Sequence, residues 1–354
     1  DVPEGTYDLV ISSIGFETQV YTYTAAQLPL RLQVRLGPKV EVLQDVVVEP
    51  DEKNGWEKWG FFFTQNFLGS NEAGRSCKIK NYKTLRFRHS KKNGGMLHVL
   101  ADDPLVIENK VLGYQLKYQL EDFRYNFQTH VLIFYGFTLF TELDKNGPSK
   151  KQLKNREKAY NGSISHFMRS LYHDSLEAEG FEVRRMVKRP NLEKQRVRSL
   201  YMHSIKRDST GATDNHTAPS RPVINFGPPA GTSSDSATYY RHVLGEPDWL
   251  DEYAQATLNA DSLLLNRDSL IRKLFFENYL YVIYKKGKED QDYLDFNHES
   301  RPAYFPRSNI FLSTRQPITV ESTGNYYPPQ TLMSIGYWAW NEKVGIMLPL
   351  DYKK

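Results

Sequence analysis

Lys151–Gly180 reads KQLKNREKAYNGSISHFMRSLYHDSLEAEG, and the arrangement of the whole chain turns on it. Tyr160, Ile164, Phe167 and Leu171 recur at helical spacing, and Met168, Tyr172 and Leu176 add a neighbouring row. Together they form one broad apolar stripe, which predicts a single long amphipathic helix over 151–180. Lys154, Arg156, Glu157, Lys158, Arg169, Asp174 and Glu177 fall largely off the stripe, as a solvated face should. Gly180 is placed to stop the helix in a left-handed cap, and Phe181 starts an extended run behind it. Nearly everything on either side reads as short strands and turns. The expected fold class is therefore α+β, mostly β: a small antiparallel β-sandwich module, then a larger antiparallel-sheet domain crossed by this helix.

Composition bounds the possibilities. With 354 residues there is room for more than one core, and 40% hydrophobic with 25% charged residues is ordinary for a globular protein. Aromatics reach 13%, with 23 Tyr and 19 Phe, a balance that leans toward β structure and binding surfaces. A net charge of +4 is too small to argue for nucleic acid. The single cysteine, Cys77, excludes an intramolecular disulfide and any multi-cysteine metal site. No stretch reaches the ~18 apolar residues that a membrane-spanning helix needs.

Residues 1–49 form the clearest β segment. Pro3-Glu4-Gly5 signals a turn, Tyr7, Leu9 and Ile11 alternate with polar neighbours, and Thr18–Thr24 reads as another strand. Leu30, Leu32, Val34 and Leu36 alternate with Arg31, Gln33 and Arg35, and Val40–Val48 closes the set. Four short strands in this space predict a sandwich. DVPEGTYDLVISSIGFETQ, through Gly5, Tyr7, Leu9, Ile14, Gly15 and Phe16, resembles the distal part of the carboxypeptidase-regulatory-like domain, a transthyretin-like β-sandwich. LRLQVRLGP and LQDVVVEP are similar to its closing strands. The opening strands of that family are not in this sequence, which is expected of a chain whose start is missing. The module carries no peptidase residues, so the resemblance transfers no active site.

From Trp56 onward, NREKAYNGSISHFMRSLY, GFEVRR and GYWAWNEKVGIMLPLDY resemble the body of Bacteroidota envelope proteins that carry this module at their N-terminus. The resemblance implies compartment and domain order rather than chemistry: residues 50–354 as one α+β body, placed in the periplasm or at the outer membrane.

Within that body, Trp59, Phe62, Phe63 and Phe67 predict a packed amphipathic helix. Its polar face holds too little positive charge for a membrane-surface anchor. Lys78–Lys92 is basic, yet Leu85 and Phe87 alternate with Arg86 and Arg88, so these charges read as the wet face of a strand. Strands are expected at 96–101, 105–109, 113–120, 122–128 and 130–140, then at 181–187, 271–285, 309–313 and 318–322. A helix is expected over 248–259, around Trp249, Leu250, Tyr253 and Ala254. Asp208–Ser236 is rich in Ser, Thr, Gly, Pro and Asn and reads as a polar surface insert. Tyr337, Trp338 and Trp340 are expected to seal one end of the core.

No catalytic motif stands in the sequence: there is no His-Glu-x-x-His, no Gly-x-Ser-x-Gly and no phosphate-binding loop. His166 and His173 lie two helical turns apart, ~10 Å along an axis, too far to share a metal. Glu289, Asp290, Asp292, Asp295, Asn297 and Glu299 form the one acidic cluster. It reads as a solvated turn, with Asp290, Asp292, Asp295 and Glu299 as candidate calcium ligands that lack the glycine and spacing of an EF-hand. Asp-Ser-apolar/Thr tripeptides start at Asp174, Asp208, Asp235, Asp261 and Asp268, similar to an O-glycosylation pattern of Bacteroidota envelope proteins. Ser209 and Ser236, bordering the insert, are the candidate acceptors.

The expected function is that of a non-catalytic envelope protein without cofactor. It would bind an outer-membrane or periplasmic protein as an accessory subunit of a transport or assembly machine. No nucleic acid is expected, and contact with the membrane would come only through that partner or a missing N-terminus. The alternative is a hydrolase or glycan-binding protein acting on envelope glycan or peptide. A hydrolase would bring two carboxylates ~5–9 Å apart in a cleft. Glycan binding would use a planar platform of Tyr and Trp.

Overall fold

The computed structural model describes residues 6–11, 19–37, 50–92, 95–209, 234–265 and 272–353. Two strands, β1 (Thr6–Ile11) and β2 (Gln19–Thr24), pair antiparallel at the N-terminus. The expected strand over Leu30–Leu36 is not formed: these residues carry no ladder, and Leu30 and Leu32 are exposed. Val40–Val48 lies outside the described residues.

A first core follows. Its elements are α1 (Gly55–Phe67), α2 (Glu72–Ser76), β3 (Lys78–Ile79), β4 (Leu85–Ser90), β5 (Met96–Ala101), β6 (Leu105–Asn109), β7 (Tyr114–Asn126) and β8 (Leu132–Glu142). The strands form one antiparallel sheet in the order β3-β6-β7-β5-β4, with β8 along the other side of β7. The two strands expected over 113–128 are therefore one, bent by a bulge between Leu120 and Asp122. Phe63 and Phe67 of α1 are fully buried against Phe87, Phe123 and Tyr118, edge to face at 4.9–6.0 Å. Burying each such side chain stabilises by about 1.5–3 kcal/mol. Arg86 and Arg88 point away from this core and share Asp51, as the alternation predicts.

The rest of the chain begins with α3 (Lys150–Tyr160), which packs on the first core through Ala159 and Arg156. A second core is built around α4 (Ile164–Tyr172), β9 (Phe181–Pro190), β11 (Arg272–Leu274), β12 (Tyr279–Tyr284), β13 (Arg307–Leu312), β14 (Ile318–Val320), β16 (Leu332–Gly336) and α8 (Tyr337–Asn341), with β10 (Trp249–Thr257), α7 (Gln291–Phe296) and β15 (Tyr326–Tyr327) beside it. Helices α5 (Leu192–Ser209) and α6 (Ser234–Gly245) pack on each other through Val197 and Val243. Strands β10-β9-β12-β13-β16 make a five-stranded antiparallel sheet, and β11-β14-β15 a small one beside it. The α+β, mostly-β class stands.

The helix expected over 151–180 is two helices. Ser163 caps the second by accepting the amide of His166, a competing helix start in mid-stretch. Gly162 turns the chain between them with φ +80, and a Cβ there would sit 2.6 Å from the Tyr284 ring. The stripe itself is right where α4 runs: Ile164, Phe167, Met168, Leu171, Tyr172 and Leu176 are all buried in the second core. The helical part ends at Tyr172, with His173 at its C-cap and Asp174 at φ +55, so Gly180 does not stop the helix as expected. At φ +90 it closes the turns that lead into β9, with Phe181 donating its amide back to Leu176 at 2.7 Å.

The helix expected over 248–259 is strand β10, because Trp249–Tyr253 find a ladder against Pro190–Met186. The strand over 271–285 is divided into β11 and β12. The insert is narrower than read: α5 runs to Ser209 and α6 starts at Ser234, so Ser209 and Ser236 stand in helix ends, while 210–233 lie outside the described residues.

Candidate functional site: the outer face of the five-stranded sheet

Strand pleating sorts this sheet into two faces. Val183, Leu280, Val282 and Ile310 point inward and are buried against α4 and Trp338. Residues paired across the ladders at the other parity share the outer face: Tyr253 opposite Met186, Met186 opposite Tyr279, Tyr281 opposite Asn309, Phe311 opposite Met333, and Asn309 opposite Ile335. Aromatic side chains therefore run across the sheet. Tyr253 and Tyr281 lie 4.4 Å apart with ring planes at 49°, and Tyr279 and Phe311 lie 5.1 Å apart at 56°. Met186 is completely buried beneath these rings, apart from the main core. Trp249, Leu250 and Tyr253 are 54, 45 and 43% exposed on the edge strand, and Ile335 is 42% exposed at the opposite edge.

Charge on this face is balanced. Lys188 reaches over the Tyr279 ring at 5.6 Å and lies 3.7 Å from Asp251. Arg184 bonds Glu182 at 2.6 Å, and Lys285 reaches the same carboxylate. The hydrogen bond from Lys285, with Arg184 beside it, outweighs burial and holds Glu182 below the usual carboxylate range. Partial burial pushes the phenols of Tyr253 and Tyr281 up, so both remain neutral donors at physiological pH.

The edge is only partly open. Between Tyr253 and Thr257 the register slips, and Arg184 donates to the carbonyl of Gln255 at 2.8 Å. Such a bulge discourages indiscriminate strand pairing, leaving Trp249–Tyr253 as the ladder edge that no described strand pairs with.

The acidic cluster goes to a different use. Glu289 is buried and accepts from Arg301 at 2.6 Å and from the Tyr304 amide at 2.9 Å. Asp290 caps α7 and takes Lys158 at 2.7 Å; burial raises this carboxyl, yet Lys158 leaves it below its ordinary value. Asp292 receives Arg75, Asp295 accepts from Gln291, and Glu299 pairs with Arg301. Arg75 comes from α2 and Lys158 from α3, so Asp292 and Asp290 act as a seam. Among the described residues, no three His, Cys, Asp or Glu side chains gather to hold a metal ion. The calcium candidates are thus taken individually by cations or amides.

His166 is a core residue. It is buried among Tyr160, Phe181 and Tyr284, accepts the Gly162 amide on Nδ1 at 3.1 Å and faces Glu179 through Nε2 at 3.2 Å. His173 closes α4 against Tyr172. Burial pushes the Cys77 thiol up to about 12, which leaves it unreactive.

The outer-face residues escaped the sequence reading, although NYLYVIY over 278–284 carries the signal. Tyr279, Tyr281 and Ile283 alternate with Leu280, Val282 and Tyr284, so both faces of this strand are apolar and only one can face α4. Comparison of the chain with protein-family models, with curated proteins and with solved structures finds no match.

Proposed function

We propose that this chain is a non-catalytic cell-envelope protein that binds another protein through the outer face of its five-stranded sheet. The observation that carries the reading is the two ring pairs, Tyr253 with Tyr281 and Tyr279 with Phe311, on the side of the sheet away from the core. Partly buried aromatics with Met and Ile, rimmed by paired charges, have the composition of protein interface cores. The compartment, and an outer-membrane or periplasmic transport or assembly machine as partner, rest on the resemblance of Gly5–Phe16 and of the C-terminal GYWAWNEKVGIMLPLDY.

Gently solubilised envelopes, with the native chain as bait, test this. One defined stoichiometric partner is expected, retained by the parent chain and lost at least tenfold by Tyr281→Ser/Phe311→Ser with an unchanged melting curve. A tenfold loss corresponds to about 1.4 kcal/mol of binding energy. Equal retention by the double variant, or recovery of the bait alone, removes the sheet face from consideration.

Glycan binding is the second reading, favoured by the same ring pairs. Tilts of 49° and 56° make a ridged surface rather than a plane for stacked sugars, so the protein partner is preferred. Saturable quenching of tyrosine fluorescence by an oligosaccharide would reverse that preference.

A further inference from the structure

The two cores meet along residues 336–348, and the crossing is pinned at both ends. On one side Trp338 is buried in the second core and donates its indole N–H to the Gly162 carbonyl at 2.7 Å. On the other, Val344 is buried in the first core, and Gly345 donates its amide to Leu68 at 2.9 Å while accepting from the Asn109 side chain at 2.8 Å. Trp340 adds a bond to the Ser70 hydroxyl at 2.8 Å.

Between these anchors stand Glu342 and Lys343, two titratable groups on adjacent residues. The Glu342 carboxyl accepts the amide of Ile164, the first residue of α4, while its Oε1 is shut off from solvent and has no hydrogen-bond partner among the described residues. Lys343 instead sends its ammonium over the Phe134 ring of the first core, 5.6 Å from the centroid. The other titratable groups that feel Glu342 are the phenols of Tyr326 on β15 and Tyr337 on α8, neither of which supplies positive charge. We infer that residues 336–348 form a proton-controlled clasp, in which protonated Glu342 holds the two cores together and its ionisation loosens them.

The physical reason is the unpartnered oxygen. A neutral carboxyl tolerates one unsatisfied acceptor, whereas a carboxylate buried there carries charge without enough donors. Burial accordingly lifts Glu342 from 4.5 to about 8, with the Ile164 amide and Lys343 pulling back only in part. Closure therefore favours the protonated form. It is strongest below the free value of 4.5 and weakens as pH rises toward 8. Burial pushes Lys343 the other way, down from 10.5 to about 8, so its relief comes only above that pH. Of these two groups, only the carboxyl contributes to the slope over pH 5–8. His166 on α4, whose Nδ1 accepts the amide of Gly162 beside the Trp338 anchor, is a further buried titratable group at this junction, and comparison with Glu342→Gln separates the two.

Hydrogen exchange on the full chain tests the clasp. The readout is the protection of the Gly345 amide, corrected for intrinsic exchange and referred to amides inside β7. In the parent chain it should fall by about tenfold per pH unit between pH 6 and 8, the slope of one linked proton. Glu342→Gln should flatten that dependence, and Lys343→Met should leave it in place. Constant relative protection in the parent chain overturns the inference. So does a Glu342→Gln profile that follows the parent. Should Glu342→Gln fold poorly, persistence of the parent slope together with its loss in Glu342→Met decides the same question.

Discussion

Helices α3 and α4 come from one unbroken stretch of sequence, are separated by three residues, and are held by opposite means. Seven of the nine residues of α4 are buried, and Phe167 touches both Phe181 and Trp338 at 5.4 Å. Of α3 only Arg156 is buried. That one guanidinium forks onto Glu142 at 2.8 and 2.6 Å, donates to the Leu112 carbonyl at 2.7 Å and stacks 3.7 Å over Tyr114. The second helix is fixed by area, and the first by a few directed bonds to β7 and β8. Area is forgiving of geometry and grows with each side chain, whereas directed bonds fail together once their hub is removed.

The contrast can be broken most strongly at Phe167. Phe167→Ala should lower stability by about 3–5 kcal/mol in chemical denaturation, because the site is fully enclosed and cannot collapse easily. A loss below about 0.5 kcal/mol would place the organising contact elsewhere. Arg156→Ala comes next, at about 1.5–3 kcal/mol, the range for hydrogen bonds to a charged group. The partly exposed side of Glu142 keeps the loss below that of a fully buried ion pair, and Arg156→Lys should recover little, since an ammonium cannot fork. Thermal melts of both variants separate these outcomes.

A finer test addresses the break between the helices. Gly162→Ala puts a side chain at a positive φ against Tyr284 and should cost about 1–3 kcal/mol. A neutral result would mean that the two helices can merge into the single one that their sequence spacing suggests. The smallest expected effect is at the cap: Ser163→Ala removes the bond to the His166 amide and should cost about 1 kcal/mol, with Ser163→Asp restoring it.

These two helices also explain what was legible. The apolar stripe from Ile164 to Leu176 was read correctly because burial of area leaves a period in the sequence. Arg156 was read as solvated, because a guanidinium looks the same in sequence whether it meets water or Glu142, fourteen residues away. The same limit acted at Trp249–Tyr253, where helical and extended spacing are both satisfied and pairing with β9 decided for the strand. It acted again at Asp290 and Asp292, whose cationic partners Lys158 and Arg75 lie 132 and 217 residues away in the chain.

By itself the sequence determined the α+β, mostly-β class, the buried face of α4, the packing of Phe63 and Phe67, and the alternation of Leu85 and Phe87 with Arg86 and Arg88. All of these follow from local spacing and backbone preference, which a linear chain displays directly. Only the tertiary structure decided where the stretch 151–180 breaks, which side of the five-stranded sheet stays open, and which charge meets which. It also decided that Glu342 and Lys343 would stand between two cores. Those outcomes depend on partners brought together by folding, and a charge or an aromatic ring acquires its role only from the group it finally faces.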